Sequence, residues 1–113
     1  MSAQKKAIRA AFRAAVFARA RYRCEGPGCA FESSPERADA DLDAHHITDR
    51  NEMPGGGYVA ENGIALCPSC HEKAERFHAT GTALPGFHPD ELYRIIASSR
   101  EKAERASRRL GEG

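Results

Sequence analysis

The residues able to do chemistry fall into a few short runs. Asp43-Ala44-His45-His46-Ile47 sets a carboxylate beside two adjacent imidazoles, and Asn62-Gly63 precedes Ile64-Ala65-Leu66-Cys67-Pro68-Ser69-Cys70-His71, with Glu75 four residues further on. Imidazole titrates near neutral pH, so it can take a proton or bind a metal ion. Cys24 and Cys29 lie upstream and complete a set of four cysteines. Four cysteines allow three disulfide pairings or one tetrahedral zinc site. The spacing C-x4-C and later C-x2-C is that of a structural zinc site with two knuckles. Gly26 and Gly28 around Pro27 permit the tight turn that the first knuckle needs. A structural zinc is the expectation, and disulfides or free buried thiols are the alternatives. Disulfides are disfavoured because no secretory pattern of a basic start, apolar stretch and small-residue cleavage site is seen.

The elements that must position these groups follow from periodicity. Acids at 39, 41 and 43 alternate with Ala40, Leu42 and Ala44, which predicts a strand over about 41–47. A loop over 48–61, with Pro54-Gly55-Gly56-Gly57 at its middle, leads to a second, antiparallel strand at 63–66. A loop this long in so small a chain is more often functional or mobile. Pro68 then starts a helix over 68–78. Adjacent residues on a strand point to opposite faces, so one of His45 and His46 meets the helix and the other turns toward substrate or solvent. Cys67 and Cys70 share one side of the first helical turn. His71 stands a further ~100° round, so the cysteines can hold zinc while His71 faces a second metal. Glu75 stands one turn above His71 on the same side. His78 lies ~10 Å along the helix from His71, too far to share its metal. His78 and His88 therefore read as structural.

The flanks carry the charge pattern. Residues 1–23 hold seven basic side chains and no acid, whereas 24–62 hold nine acids against Arg37 and Arg50, and the net charge of +1 hides this asymmetry. A basic arm beside an acidic centre suits a protein that grips phosphate in one place and a divalent cation in another. Residues 3–22 read as a helix, with Ile8, Phe12, Ala15, Val16 and Arg19 along one face. Lys5, Arg9 and Arg13 recur on a neighbouring face, as a phosphate-contacting stripe or an ordinary solvated one. Arg50 is a further candidate for the nucleic-acid backbone, and Tyr58 reads first as loop packing. A last helix is expected over 89–110, with Leu92, Ile95, Ile96, Ser99 and Ala103 as its apolar stripe. Length predicts one domain over 1–113: a basic helix at 1–23, a core at 24–78 and the C-terminal helix. No apolar run approaches a membrane span, and a cytoplasmic protein is expected.

The run DAHHI … NGIALCPSCH, with its upstream C-x4-C, resembles the HNH endonuclease family, and more narrowly the zinc-stapled members common in phages and restriction systems. The resemblance covers about residues 24–78. It implies an α+β fold: a ββα-metal (His-Me finger) core with a four-cysteine zinc site, flanked here by N- and C-terminal helices. It implies one-metal hydrolysis of DNA phosphodiesters, nicking or cutting both strands. The chain is too short for a separate sequence-reading domain, so low sequence specificity is expected. On the resemblance, His45 is a metal ligand of the first strand and His46 the general base. Asn62 bonds across the hairpin loop, His71 is the helix ligand, and Asp43 orients His45. Many relatives carry a second histidine where Glu75 stands. A carboxylate there suits magnesium or manganese, so Glu75 is either a ligand or an exposed partner of Lys73 or Arg76. The catalytic cation is left open among magnesium, manganese, nickel and zinc. The implied partners are DNA and, in a packaging setting, a phage terminase, within the host cytoplasm. The alternative is a non-catalytic zinc module that binds DNA or protein. Such a module uses the cysteines and the basic helix but has no need of His46, Asn62 and His71.

Overall fold

The computed structural model describes residues 3–112, with side chains through Leu110. Helix α1, Ala3–Arg19, buries Phe12, Val16 and Phe17. It stops three residues short of the expected end because Arg21 and Tyr22 both turn left-handed, at φ of 56° and 60°. The Tyr22 amide bonds back to Phe17 O at 2.9 Å, and an isolated bridge between Arg23 and Glu32 starts the first knuckle.

The alternating acids at 39 and 41 belong to a single helical turn, α2, Ala38–Asp41. This corrects the expected strand start. Arg37 and Asp41 pair across one turn at 3.1 Å, which stabilises a helix and not a strand. Strand β1 is therefore Asp43–His46, and it pairs antiparallel with β2, Gly63–Leu66, with His45 opposite Ile64 and His46 opposite Gly63. The connection is ordered as three short 3-10 turns, Arg50–Glu52, Pro54–Gly57 and Ala60–Asn62.

Helix α3, Pro68–Thr80, begins with Pro68 in its first turn and ends at Gly81, whose φ of 77° lets the chain leave left-handed. The expected last helix is two helices, α4 (Pro89–Ile95) and α5 (Arg100–Glu112). Ala97, at φ of 56°, breaks them, and Ser99 Oγ accepts from Lys102 N to cap the new start. The Ser98-Ser99 pair carried that cap signal in the sequence. His88 caps α4, accepting from Asp90 N at 3.1 Å.

The hairpin is covered on both faces, by α3 on one and α1 on the other. Ile64 and Leu66 of β2 are fully buried in the core with Leu42, Ile47, Leu92 and Val16. The α1 face is tight at Gly63. A Cβ there would stand 2.5 Å from Val16 Cγ2 and 2.7 Å from Phe12 Cε1, so only glycine lets α1 approach. Arg19 locks the contact, donating to Gly63 O at 2.7 Å, Ala60 O at 2.9 Å and Glu25 Oε1 at 2.8 Å. Among the described residues no helix is long and apolar enough to cross a membrane.

Candidate functional site

The alternation of β1 splits the two histidines as expected. His45 points toward α3 and is almost fully buried; His46 points toward α1, where its ring stacks on Phe12 at 4.8 Å and meets Tyr58 edge-on at 4.6 Å.

On the α3 side, His45 Nδ1 lies 3.3 Å from Glu75 Oε1, and His71 Nε2 lies 3.2 Å from the same oxygen. Atoms bound at about 2.1 Å to one ion sit roughly 3.0–3.4 Å apart, so each histidine stands at ligand-pair distance from Glu75. Among the described residues, the set whose ligand atoms all lie within 4.8 Å of one another is His45, Glu75 and His78. The His45 contact is close enough to pair but out of line for a hydrogen bond, and this buried nitrogen has no other partner. A buried ring nitrogen without a partner is costly unless something such as an ion completes it. Burial pushes the His45 pKa down to about 3, and neighbouring His71 and His78 add to this. His45 is therefore neutral, with a free lone pair, as a ligand must be. Asp43 shares the His45 side of the strand, but its carboxylate reaches His71 Nδ1 at 3.2 Å. The expectation that Asp43 orients His45 is corrected. The start of α3 brings His71, and not His45, within reach of the Asp43 carboxylate.

His78 is distant from His71 along the helix but close to His45 on β1. The strand brings His45 to it, ring on ring at 5.2 Å, and His45, Glu75 and His78 can each place one ligand atom within 4.8 Å of the others.

On the α1 side a groove of about 710 Å³ has Lys5, Arg9, Arg50, Asn51, Gly56 and Tyr58 in its lining, and His46 adjoins it through its edge-on contact with Tyr58. Arg9 lies over the Tyr58 ring at 5.3 Å, and Arg50 donates to the Tyr58 hydroxyl at 3.1 Å. Tyr58 thus ties loop, helix and His46 together, a role the loop-packing expectation only partly anticipates. Burial, helped by the Arg50 guanidinium, lowers the His46 pKa to about 4. Its imidazole is neutral at neutral pH, and its Nε2 is buried without a hydrogen-bond partner among the described residues. Arg13 does not join the groove: it pairs with Asp39 at 3.2 Å and lies over Phe17. The basic stripe therefore divides after Arg9.

Asn62 is fully buried and satisfied at both ends. Its Oδ1 accepts from Thr48 N at 3.0 Å and Tyr93 OH at 2.7 Å, and its Nδ2 donates to Thr48 O at 3.1 Å and Gly57 O at 3.2 Å. Tyr93 also meets Thr48 Oγ1 at 2.6 Å. Asn62 thereby pins the loop to the residues just after His46. Thr48 and Tyr93 were not singled out from the sequence, and their roles depend on contacts with no local pattern.

The four cysteines are free and converge. Thiolates about 2.3 Å from a zinc lie roughly 3.8 Å apart, and Cys29 and Cys67 Sγ are 3.9 Å apart. Cys24 Sγ accepts from Gly26 N and Cys67 N at 3.4 and 3.2 Å. Gly26 is required here, since a Cβ would stand 2.6 Å from Cys70 Sγ. Burial raises the Cys24 pKa to about 11 and that of Cys70 further, so without a cation both stay protonated. A metal would load with release of protons.

A two-stranded hairpin and helix, with a four-cysteine cluster at one end and a histidine–carboxylate cluster between strand and helix, define a ββα-metal domain. Residues 24–77 match the family model described as HNH endonuclease. HNH nucleases act on DNA and use divalent metals. No curated protein and no solved structure matches the chain.

Proposed function

We propose that this protein is a metal-dependent endonuclease that hydrolyses DNA phosphodiesters with His46 as general base. The observation that supports the proposal is the split of β1: His45 turns toward Glu75 on α3, and the adjacent His46 turns toward Tyr58, which lines the basic groove. Lys5, Arg9 and Arg50 hold backbone phosphates, and Tyr58 positions the two arginines. Neutral His46 takes a proton from water as the water oxygen attacks phosphorus. The P–O3′ bond breaks, leaving a 5′-phosphate and a 3′-hydroxyl. Asn62 keeps His46 and its loop in register, and Asp43 orients His71. His45, His71 and Glu75 would hold the cation, which when bound stabilises negative charge on the phosphate and on the leaving oxygen. A carboxylate with two imidazoles suits manganese or magnesium. Cys24, Cys29, Cys67 and Cys70 would hold a structural zinc. With contacts mostly to phosphate, cleavage has low sequence specificity.

The test is a supercoiled-plasmid assay of wild type beside His46→Ala, with magnesium, manganese, nickel or EDTA. The expected result is metal-dependent nicking or linearisation, lowered roughly 10²–10⁴-fold in the variant while folding and zinc content hold. Full activity in His46→Ala would sink the base assignment. DNA binding with no cleavage under any metal would favour the non-catalytic zinc module.

A further inference from the structure

Nothing in the chemistry above uses His78. It is half-buried, and its ring stacks on His45 with 26° between the planes. Its Nε2 lies 2.9 Å from the backbone oxygen of His46. A carbonyl oxygen only accepts, so His78 carries its proton on Nε2 and donates it. His46 is the last residue of β1, where the ladder ends and the chain leaves the sheet. The peptide that follows His46 is held on its N–H side, where Ile47 N donates to Asn62 O at 2.9 Å, and the His78 bond holds its carbonyl side.

We propose that His78 is a positioning residue for hydrolysis: its Nε2–H holds the His46 carbonyl while its ring backs His45. One side chain of α3 thereby fixes the peptide of the base and the ring of the neighbouring ligand. This rests on the reading of His46 as base and His45 as ligand. The competing role is direct metal ligation, since His78 can also place a ligand atom within 4.8 Å of His45 and Glu75. With Nε2 donating to the His46 carbonyl, only Nδ1 keeps a lone pair for an ion, and manganese affinity separates the two roles.

Two variants separate the parts. His78→Phe keeps a flat ring against His45 and loses the donor. His78→Gln keeps an N–H donor near the Nε2 position. Steady-state cleavage of a DNA duplex, manganese titration by calorimetry, zinc content and melting temperature are measured for both. His78→Phe is expected to lower kcat roughly 10–100-fold, the range for residues that orient a site from behind, with KM and manganese affinity within about twofold of wild type. His78→Gln recovers most of kcat. A long-range proton–nitrogen spectrum of the zinc-loaded protein without added manganese is expected to show the Nε2–H tautomer. Manganese affinity that falls in both variants makes His78 a ligand and overturns the proposal. Wild-type kcat in His78→Phe, equal loss in both variants, or the Nδ1–H tautomer overturns it as well. Failure of the underlying reading has a different signature: wild type without cleavage, or His46→Ala as active as wild type, removes the base and the inference together.

Discussion

The N-terminal half of α3 serves two clusters that differ in almost every physical respect. Cys67 and Cys70 face the knuckle, in a set of four sulfurs of which three are buried and the fourth half-buried. His71 and Glu75 face β1, in a set of mixed donors whose side chains are 31% and 49% exposed. Structural metal sites are closed and homogeneous, whereas catalytic ones keep an open position. One stretch of helix therefore carries a closed frame on one side and an open working edge on the other. The frame continues through Gly26, Glu25 and Arg19 into the α1 contact. The edge continues across β1 to His46 and the basic groove.

The largest expected effect breaks the frame. Cys67→Ser removes one of four thiolates and the ion they would hold, and structural zinc contributes on the order of 10 kcal/mol to small domains of this kind. Loss of the cooperative melting transition at room temperature is expected by calorimetry. An unchanged melting temperature would mean that the cluster is not a metal staple.

Chelation should separate the two regions without mutation. Brief, dilute EDTA is expected to strip the open edge and stop cleavage while zinc content and melting temperature hold, because three buried thiolates shield the closed cluster. Zinc release in step with loss of cleavage would erase the distinction between frame and edge.

A smaller effect tests the strut between them. Tyr93→Phe removes the hydroxyl that meets Asn62 Oδ1 and Thr48 Oγ1. Asn62 keeps its Thr48 amide bond, but the Thr48 hydroxyl is left buried without that partner. A loss of about 1–3 kcal/mol is expected from urea unfolding. A loss below about 0.5 kcal/mol, within the ordinary range of surface substitutions, would show that the loop holds without α4.

How these parts read from sequence depends on how local their signals are. The knuckle spacing, the opposite faces of His45 and His46 and the Pro68 helix start are all set within a few residues, and each was legible. The acids at 39 and 41 misled because one helical turn, closed by Arg37 and Asp41, shows the same short alternation as a strand. His78 was measured against His71 on its own helix. The neighbours that matter lie on β1, 32 and 33 residues away in sequence, with His46 O at 2.9 Å and the His45 ring at 5.2 Å. Tyr93 meets Asn62 across 31 residues, and no periodicity announces such a contact. What the chain hides is the long-range closure that brings one helix to the end of one strand.

The smallest effect asks where the working edge stops along α1. Lys5, Arg9 and Arg13 are equivalent by helical spacing, yet the structure divides them. Arg9 lies over Tyr58 in the groove, whereas Arg13 is paired with Asp39 on the frame side. Each phosphate contact adds about 0.9 to the slope of log affinity against log salt. Arg9→Ala is therefore expected to reduce that slope by about one in fluorescence-anisotropy titrations of a DNA duplex. Arg13→Ala should leave the slope alone. Its pair with Asp39 is largely exposed, so it should cost at most about 1 kcal/mol of stability. Equal losses of slope in the two variants would mean that the stripe acts as a unit and that the edge runs past Arg13.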